Sequence, residues 1–311
     1  MTGAGLTGIL LLEQTLNSLQ FGLMLFLLAA GLTLVFGIMD MINLAHGSLY
    51  MIGAYLMATF AEATGSFWVA LPLALVSTAM VGAALEVSLL RRLYERDHLT
   101  QVLATFAIIL VANEVVRIIW GNQSLMLNAP PGLTGPVELP GGMQYASYRL
   151  AIIVVGAAVA LCLYLLVTKT RMGMLVRAGA SNREMAVAMG VNIRRLFTVV
   201  FALGAALCAL AGAMLGPLLA VQVGMGENIL ILAFVVIVIG GIGSIRGAFV
   251  GALLVGLVDT MGRALLPIGF ATVFPPQMAS NLGPALSSIL IYVLMAAVLF
   301  FRPQGLFPAR G

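Results

Sequence analysis

Charge is the scarcest property of this sequence. Only 8% of its 311 residues are charged and 62% are hydrophobic, whereas a soluble domain averages about 25% charged residues. Because so few polar groups could not cover a soluble surface, lipid is the expected solvent. In lipid the backbone must satisfy its own hydrogen bonds, which leaves helices or a closed barrel. Barrel strands alternate apolar and polar residues, but Val199–Val221 is apolar on every face, so the sequence predicts helices.

Cysteine and lysine are also rare, and each shortage excludes a class of function. Cys162 and Cys208 lie inside apolar runs and no Cys/His cluster has ligand spacing, so neither a disulfide nor a metal site is predicted. The single lysine, Lys169, lacks the glycines of a P-loop, so any ATP must be used by a partner and no cofactor is expected here. The absence of hydrolase and metalloprotease motifs argues against an enzyme with catalytic residues. Nucleic acid is not expected either, since no basic run is interleaved with aromatics.

Eight apolar stretches approach or exceed the roughly 20 residues that a membrane crossing needs. They are Leu16–Ile38, Ser48–Ala61, Phe67–Leu85, Leu99–Ile119, Leu150–Thr168, Phe197–Val221, Ile229–Thr260 and Ala285–Phe301. The second is short and the seventh too long, so both are predicted to be broken or re-entrant. The predicted fold is all-α: one polytopic transmembrane domain over residues 1–311, with about eight membrane helices and, as a hypothesis, an inverted repeat.

Basic residues are shared unevenly between the connecting loops. Three lie between the third and fourth stretches and six between the fifth and sixth, out of 15 in the chain. The positive-inside rule places such loops in the cytoplasm, and counting back from them puts the N-terminus outside. If all eight stretches crossed the membrane in alternating directions, Arg302 and Arg310 would also lie outside, against the same rule. We therefore prefer a seventh stretch that turns back near Gly240–Gly247, which brings the C-terminus inside.

The polar stretch over residues 169–196 is predicted to contain a short helix. Ser181 and Glu184 have the Ser-x-x-Glu form of a capping box, and Gly190 can end a helix in the left-handed conformation. The pattern predicts a helix over Asn182–Met189. Two interpretations stay open: an ordinary solvated loop, or a coupling helix that docks into a groove of a cytoplasmic partner.

Two polar or glycine-rich interruptions are predicted to line a translocation path. Transport folds often bind substrate where helices are broken in corresponding positions of two halves. Polar groups at membrane depth are costly unless they line water or pair. The candidate path residues are Asn43, His46 and Gly47 in the first interruption, and Gly240, Gly241, Gly243 and Ser244 in the second. His46 has an alternative role as a packed histidine that bonds a carbonyl group.

Charged residues within the apolar stretches have simpler explanations. Glu114 and Arg117 are three residues apart, and Asp259 and Arg263 are four apart, so each pair can satisfy itself on one helix face. A proton relay is the less favoured alternative for these pairs. Glu86 lies near the end of its stretch, where it is expected to snorkel toward water.

The polar stretch resembles the cytoplasmic loop of ABC-importer permeases, whose Glu-Ala-Ala-x-x-x-Gly pattern docks onto the ATPase. Glu184, Ala186 and Gly190 match that pattern at the family spacing, and Met185 replaces its first alanine. The resemblance implies an ATPase-coupling role for Ser181, Glu184, Ala186 and Gly190, the small Ala186 leaving room for the partner.

Three further segments resemble one branch of these permeases, the LivH-like permeases for branched-chain amino acids. They are Gly37–Tyr55 with its core Ile-Asn-Leu-Ala-His-Gly, Gly240–Gly247, and Arg302-Pro-Gln-Gly-Leu-Phe307. The resemblance implies an importer in a bacterial cytoplasmic (inner) membrane. Its implied partners are a second permease subunit in a heterodimer, two cytoplasmic ATPases and an extracytoplasmic substrate-binding protein. Urea, short amides or an aromatic acid stay open as cargo, and an ion-coupled secondary transporter is the less favoured machine.

Overall fold

The computed structural model of the chain describes residues 3–139, 142–272 and 274–307. Within these ranges the chain forms eleven α-helices and one two-stranded hairpin. The helices are α1 (Gly3–Met39), α2 (His46–Thr64), α3 (Phe67–Ser88), α4 (His98–Trp120), α5 (Ser147–Lys169), α6 (Arg171–Ser181), α7 (Arg183–Ala188), α8 (Ile193–Leu215), α9 (Met225–Gly240), α10 (Ile245–Phe270) and α11 (Pro276–Phe301). The antiparallel strands β1 (Pro136–Leu139) and β2 (Met143–Ala146) pair Pro136 with Ala146.

The prediction of an all-α polytopic membrane protein is confirmed, with a correction to the count. Among the described residues, seven helices are long and apolar enough to cross a membrane: α1, α3, α4, α5, α8, α10 and α11. The second predicted stretch is α2, which is not among these seven. The seventh stretch is two helices, α9 and α10, rather than one.

The break between α9 and α10 is made by glycine. Gly241 and Gly243 have φ of 107° and 80°, values that side chains with a Cβ rarely adopt. Ser244 then begins α10, because its side chain accepts a hydrogen bond from the Gly247 N–H at 3.1 Å. The two helices return side by side, with Gly240 against Gly247 and no room for a Cβ on either. An apolar run that reads as one long span is therefore a tight helical hairpin.

Helix α1 forms the centre of the bundle, and the other spans surround it. In its most hydrophobic 18-residue window, 83% of the residues are buried, against 17% for α4 and 11% for α11. The helix packs against α10, α8, α5 and α9. The outer helices leave large apolar side chains exposed, as expected of surfaces that meet lipid or another membrane subunit.

The two halves of the chain pack in the same way. In the first half of the chain, α2 packs on α3 and on α8; in the second half, α9 packs on α10 and on α1. The contact between α1 and α10 is likewise matched by the contact between α8 and α3. Exchanging α1, α2 and α3 with α8, α9 and α10 therefore maps one set of contacts onto the other. Helices α2 and α9 are called half-helices below, because neither is among the seven candidate spans. This exchange of contacts is the pattern expected of an inverted repeat.

Candidate transport and coupling sites

A cavity of about 1360 Å³ marks one end of the bundle, called the cavity face below. It is lined by the end of α1, the α3–α4 loop, the end of α5, α6, the α9–α10 turn, and Leu306 and Phe307. The last two residues are tied to α9, since Leu306 N–H donates to the Ile239 carbonyl and Phe307 N–H to that of Gly240, both at 2.9 Å. The Arg-rich loops, the turn and the segment after α11 thus share one face. The other end of the bundle is called the far face.

The loop between α5 and α8 contains two helices, and the predicted capping box is wrong. Ser181 is the last residue of α6 and does not cap the next helix. Instead Asn182, with extended backbone at φ −153°, accepts a hydrogen bond from the Met185 N–H at 2.8 Å. Asparagine and serine are comparable cap residues, and here α6 extends through the serine. Helix α7 is therefore Arg183–Ala188, shorter by one residue at each end than predicted.

The end of α7 follows the prediction. Gly190 has a left-handed φ of 85°. The Val191 N–H donates to the Ala186 carbonyl at 3.0 Å, and the Gly190 N–H donates to the Val187 carbonyl at 2.9 Å. These two hydrogen bonds end the helix in the way that is typical of a glycine in the left-handed conformation. The short helix is thus fixed at both ends by local hydrogen bonds.

One predicted feature of α7 is reversed, because Ala186 faces the chain's own interior and is 5% exposed. It leaves no gap for a partner. The outward surface of the loop is instead formed by three apolar side chains, Met185, Val187 and Met189, which are 61%, 55% and 79% exposed. Ser181, Glu184 and Gly190 are exposed beside them. The loop therefore presents an apolar surface of its own outside the seven spans.

The first set of candidate path residues lies in the bundle interior. Asn43 and His46 are fully buried. The Asn43 Oδ1 accepts a hydrogen bond from the Ala45 N–H at 3.1 Å, but neither imidazole nitrogen of His46 has a partner in the described part of the chain. The ring fits against two glycines, since a Cβ on Gly31 would lie 2.8 Å from Nε2 and one on Gly204 3.2 Å from Cε1.

The second set lies at the cavity face. Gly243 and Ser244 line the cavity, while Gly240 and Gly241 are buried. The two interruptions therefore do not occupy equivalent positions of the two halves. The counterpart of Gly47 is Gly226, because each is the second residue of its half-helix and each would overlap the other's carbonyl group if it carried a Cβ.

The position predicted for the Glu86 side chain is wrong. Glu86 does not snorkel, for its side chain is completely buried. Its carboxylate accepts hydrogen bonds from Tyr94 Oη at 2.7 Å and Thr198 Oγ1 at 2.6 Å, and pairs with Arg91 at 3.1 Å. Burial, together with the Glu86 hydrogen bond, raises the pKa of Tyr94 far above its ordinary value. The cluster fastens α3 to α8 near the cavity face.

The two charged pairs form as predicted. Arg117 Nη1 lies 2.6 Å from Glu114 Oε1, and Arg263 Nε lies 2.8 Å from Asp259 Oδ1. In the residues that the structure describes, no group of three His, Cys, Asp or Glu side chains could hold a metal ion. The sequence reasoning missed a third polar contact in the spans, in which the Asn113 side-chain amide donates to Glu227 at 2.6 Å.

Comparison with known proteins gives consistent matches along nearly the whole chain. The family model described as "Branched-chain amino acid transport system / permease component" matches residues 14–299. The chain is 29% identical to the high-affinity branched-chain amino acid transport system permease protein BraD of Pseudomonas aeruginosa, over 95% of each protein. It is 28% identical to the corresponding LivH protein of Escherichia coli K12, over 95% of this chain and 94% of LivH. Identity to the LivM permease of the same organism is 25%, over 91% of this chain and 67% of LivM.

Proposed function

The chain belongs to the family of permease components of branched-chain amino acid transport systems, and on that premise we propose that it is a membrane permease subunit of an ATP-driven importer. Its cargo is a branched-chain amino acid or a close relative. The family match over residues 14–299 carries this proposal. The seven candidate spans support it, because they supply a membrane domain without a nucleotide-binding motif of its own.

The energy for transport comes from two cytoplasmic ATPases that bind the loop around α7. The support is the exposed apolar surface formed by Met185 and Val187 on α7 and by Met189, which directly follows the helix, all outside the membrane spans. Burying such side chains in a partner's groove is favourable by about 25 cal/mol per Å² of apolar surface. Ser181, Glu184 and Gly190 border this surface and Ala186 fixes the helix to the chain, so all four act in coupling.

The cavity face is cytoplasmic in this proposal, which leaves the N-terminus outside and the C-terminus inside. The basic loops that follow α3 and α5 share this face with Arg246 at the start of α10, and cytoplasmic loops are enriched in basic residues. The cell is bacterial and the membrane is the cytoplasmic (inner) membrane. An extracytoplasmic substrate-binding protein then delivers cargo to the far face.

The second permease subunit is a related but different chain, so the membrane unit is a heterodimer. Support comes from E. coli, in which this chain resembles two distinct branched-chain permeases, LivH at 28% and LivM at 25% identity. A homodimer is the alternative outcome. In either pairing the exposed outer helices of this subunit provide the surface that meets the second permease.

Co-purification tests this assembly. We expect a tagged form of this chain, expressed together with the other subunits of its transport system, to retain two ATPases and one different permease in detergent. Proteoliposomes containing that complex and the binding protein should take up labelled leucine only when ATP is inside. Competition by isoleucine, valine, urea, acetamide and phenylalanine then identifies the cargo. Uptake driven by an ion gradient without ATP would instead establish a secondary transporter.

A further inference from the structure

Four polar residues form a continuous patch on the outside of the subunit, called the entry patch below. Glu114 and Arg117 on α4 pair at 2.6 Å, and neighbouring Asn113 donates to Glu227 at the start of α9. The Glu114 and Arg117 side chains are 59% and 46% exposed, and Glu227 is exposed as well. Two carboxylates and one guanidinium thus meet on the surface of an apolar bundle.

The entry patch lies at the depth of the hydrocarbon. Glu227 precedes Gly240, at the cavity-face end of α9, by 13 residues, which is about 20 Å along a helix. Glu114 precedes Trp120, the last residue of α4, by six residues, or about 9 Å. A bilayer's hydrocarbon core is about 30 Å thick. Glu114 and Glu227 therefore lie at the depth of the hydrocarbon, nearer to the far face, and Arg117 lies about one helical turn closer to that face.

Lipid is an unsuitable cover for this patch. Charged side chains at membrane depth almost always face water or protein, because their desolvation in hydrocarbon costs several kcal/mol. Within this chain α4 is buried only along Gln101, Thr105, Ile109 and Val116, so the helix is attached by one narrow face. The surface with Glu114 and Arg117 points away from that attachment and toward whatever lies beside the subunit.

We propose that the entry patch faces the water-lined substrate path beside the second permease and binds a zwitterionic amino acid on its way in. Arg117 is a partner for the α-carboxylate, and Glu114 and Glu227 are partners for the α-ammonium group. Since Arg117 already pairs with Glu114, and Glu227 accepts a hydrogen bond from Asn113, a passing substrate exchanges contacts rather than creating buried charge. This assignment rests on the importer function proposed above, and it gives that path specific residues on α4 and α9.

Cysteine labelling tests the location without requiring transport. In the assembled complex, with Cys162→Ser and Cys208→Ala as background, single cysteines replace Glu114 or Val115. Val115 is 46% exposed at the same depth, but it lies about 100° further round α4 and away from Arg117. We expect a membrane-impermeant methanethiosulfonate reagent to label the Glu114 position and to spare the Val115 position. Leucine-loaded binding protein should slow the labelling.

Uptake by reconstituted complexes tests the chemistry. We expect Arg117→Gln and Glu227→Gln each to lower the rate of ATP-driven leucine uptake about tenfold, which corresponds to losing one charge-assisted hydrogen bond. Arg117→Lys should retain most of the rate, because the positive charge remains. Glu62→Gln, at the exposed end of α2, is the matched control and should transport normally.

The outcomes separate this proposal from the importer function itself. Equal labelling at positions 114 and 115, or normal uptake by both glutamine variants, would overturn the entry patch while leaving the importer intact. A wild-type complex that moves no amino acid would overturn the importer function. If that complex is labelled at position 114 from water, but leucine-loaded binding protein does not slow the labelling, then the entry patch does not bind an amino acid.

Discussion

Gly47 and Gly226 pack backbone against backbone where the half-helices α2 and α9 begin, and a Cβ on either would overlap the carbonyl group of the other. Each is the second residue of its helix. This contact joins the two halves of the chain at equivalent points of the repeat. It also requires glycine at both points, because no other residue lacks the atom that would collide.

The first prediction concerns this contact. Gly226→Ala should lower the thermal unfolding midpoint of the purified protein, because forcing extra atoms into a packed interior typically costs about 1–3 kcal/mol. Gly269→Ala is the matched control, since Gly269 is also helical but has nothing within 4 Å of an added Cβ. That variant should be neutral or slightly more stable. Equal midpoints for the two variants would show that the halves do not meet as described.

Sequence reasoning found the α9–α10 break but missed the equivalent pair Gly47 and Gly226. The break was visible because consecutive glycines interrupt an apolar run. Gly226 follows the connection Gly216–Gly224, in which Gln222 is the only polar side chain. Counting apolar stretches therefore absorbed most of that connection into the sixth stretch, Phe197–Val221, although α8 ends at Leu215. Glu86 was misplaced for a different reason. Its burial depends on Thr198, a residue 112 positions away, and no local pattern in the sequence encodes that contact.

The second prediction concerns Glu86. Glu86→Ala removes the acceptor shared by Arg91, Tyr94 and Thr198, so we expect a loss of about 1–3 kcal/mol in the free energy of unfolding. Denaturant titration in mixed micelles, followed by tryptophan fluorescence, measures it. Glu62→Ala, at an exposed site, should change stability by less than about 0.5 kcal/mol. A similarly small effect at Glu86 would mean that the buried cluster does not form.

The third prediction concerns coupling through α7. Gly190→Ala places a Cβ on a residue with φ of 85°, which costs about 1–2 kcal/mol and should shift the end of the helix. We expect weaker retention of the ATPases in pull-down and a loss of uptake, with the spans still inserted. Glu184→Ala should have the same effect, because its carboxylate borders the apolar surface.

A second glycine provides the control for this experiment. Gly132 has a similar φ of 93° and nothing within 4 Å of an added Cβ, but it lies between α4 and α5, away from α7. Gly132→Ala should therefore bind ATPases and transport normally. If Gly190→Ala and Glu184→Ala also retain the ATPases and transport fully, α7 is not the coupling helix.

The fourth prediction concerns Asn43 and His46, whose role in the path remains a prediction. Because both side chains are fully buried here, we expect cysteines at these positions to resist small aqueous thiol reagents in the nucleotide-free complex. A role in the path requires labelling in at least one nucleotide-bound state. Protection in every state would assign His46 to packing between α1 and α8, against Gly31 and Gly204.

ATP-driven uptake is the measurement that tests the central claim most directly. Proteoliposomes receive the complete complex with this chain as one permease, the binding protein is added outside, and labelled leucine is followed with ATP or a non-hydrolysable analogue inside. The importer account predicts accumulation with ATP alone, and none when the chain is omitted. Leucine accumulation that is the same with ATP as with the analogue, or that persists when this chain is omitted, would contradict the importer account.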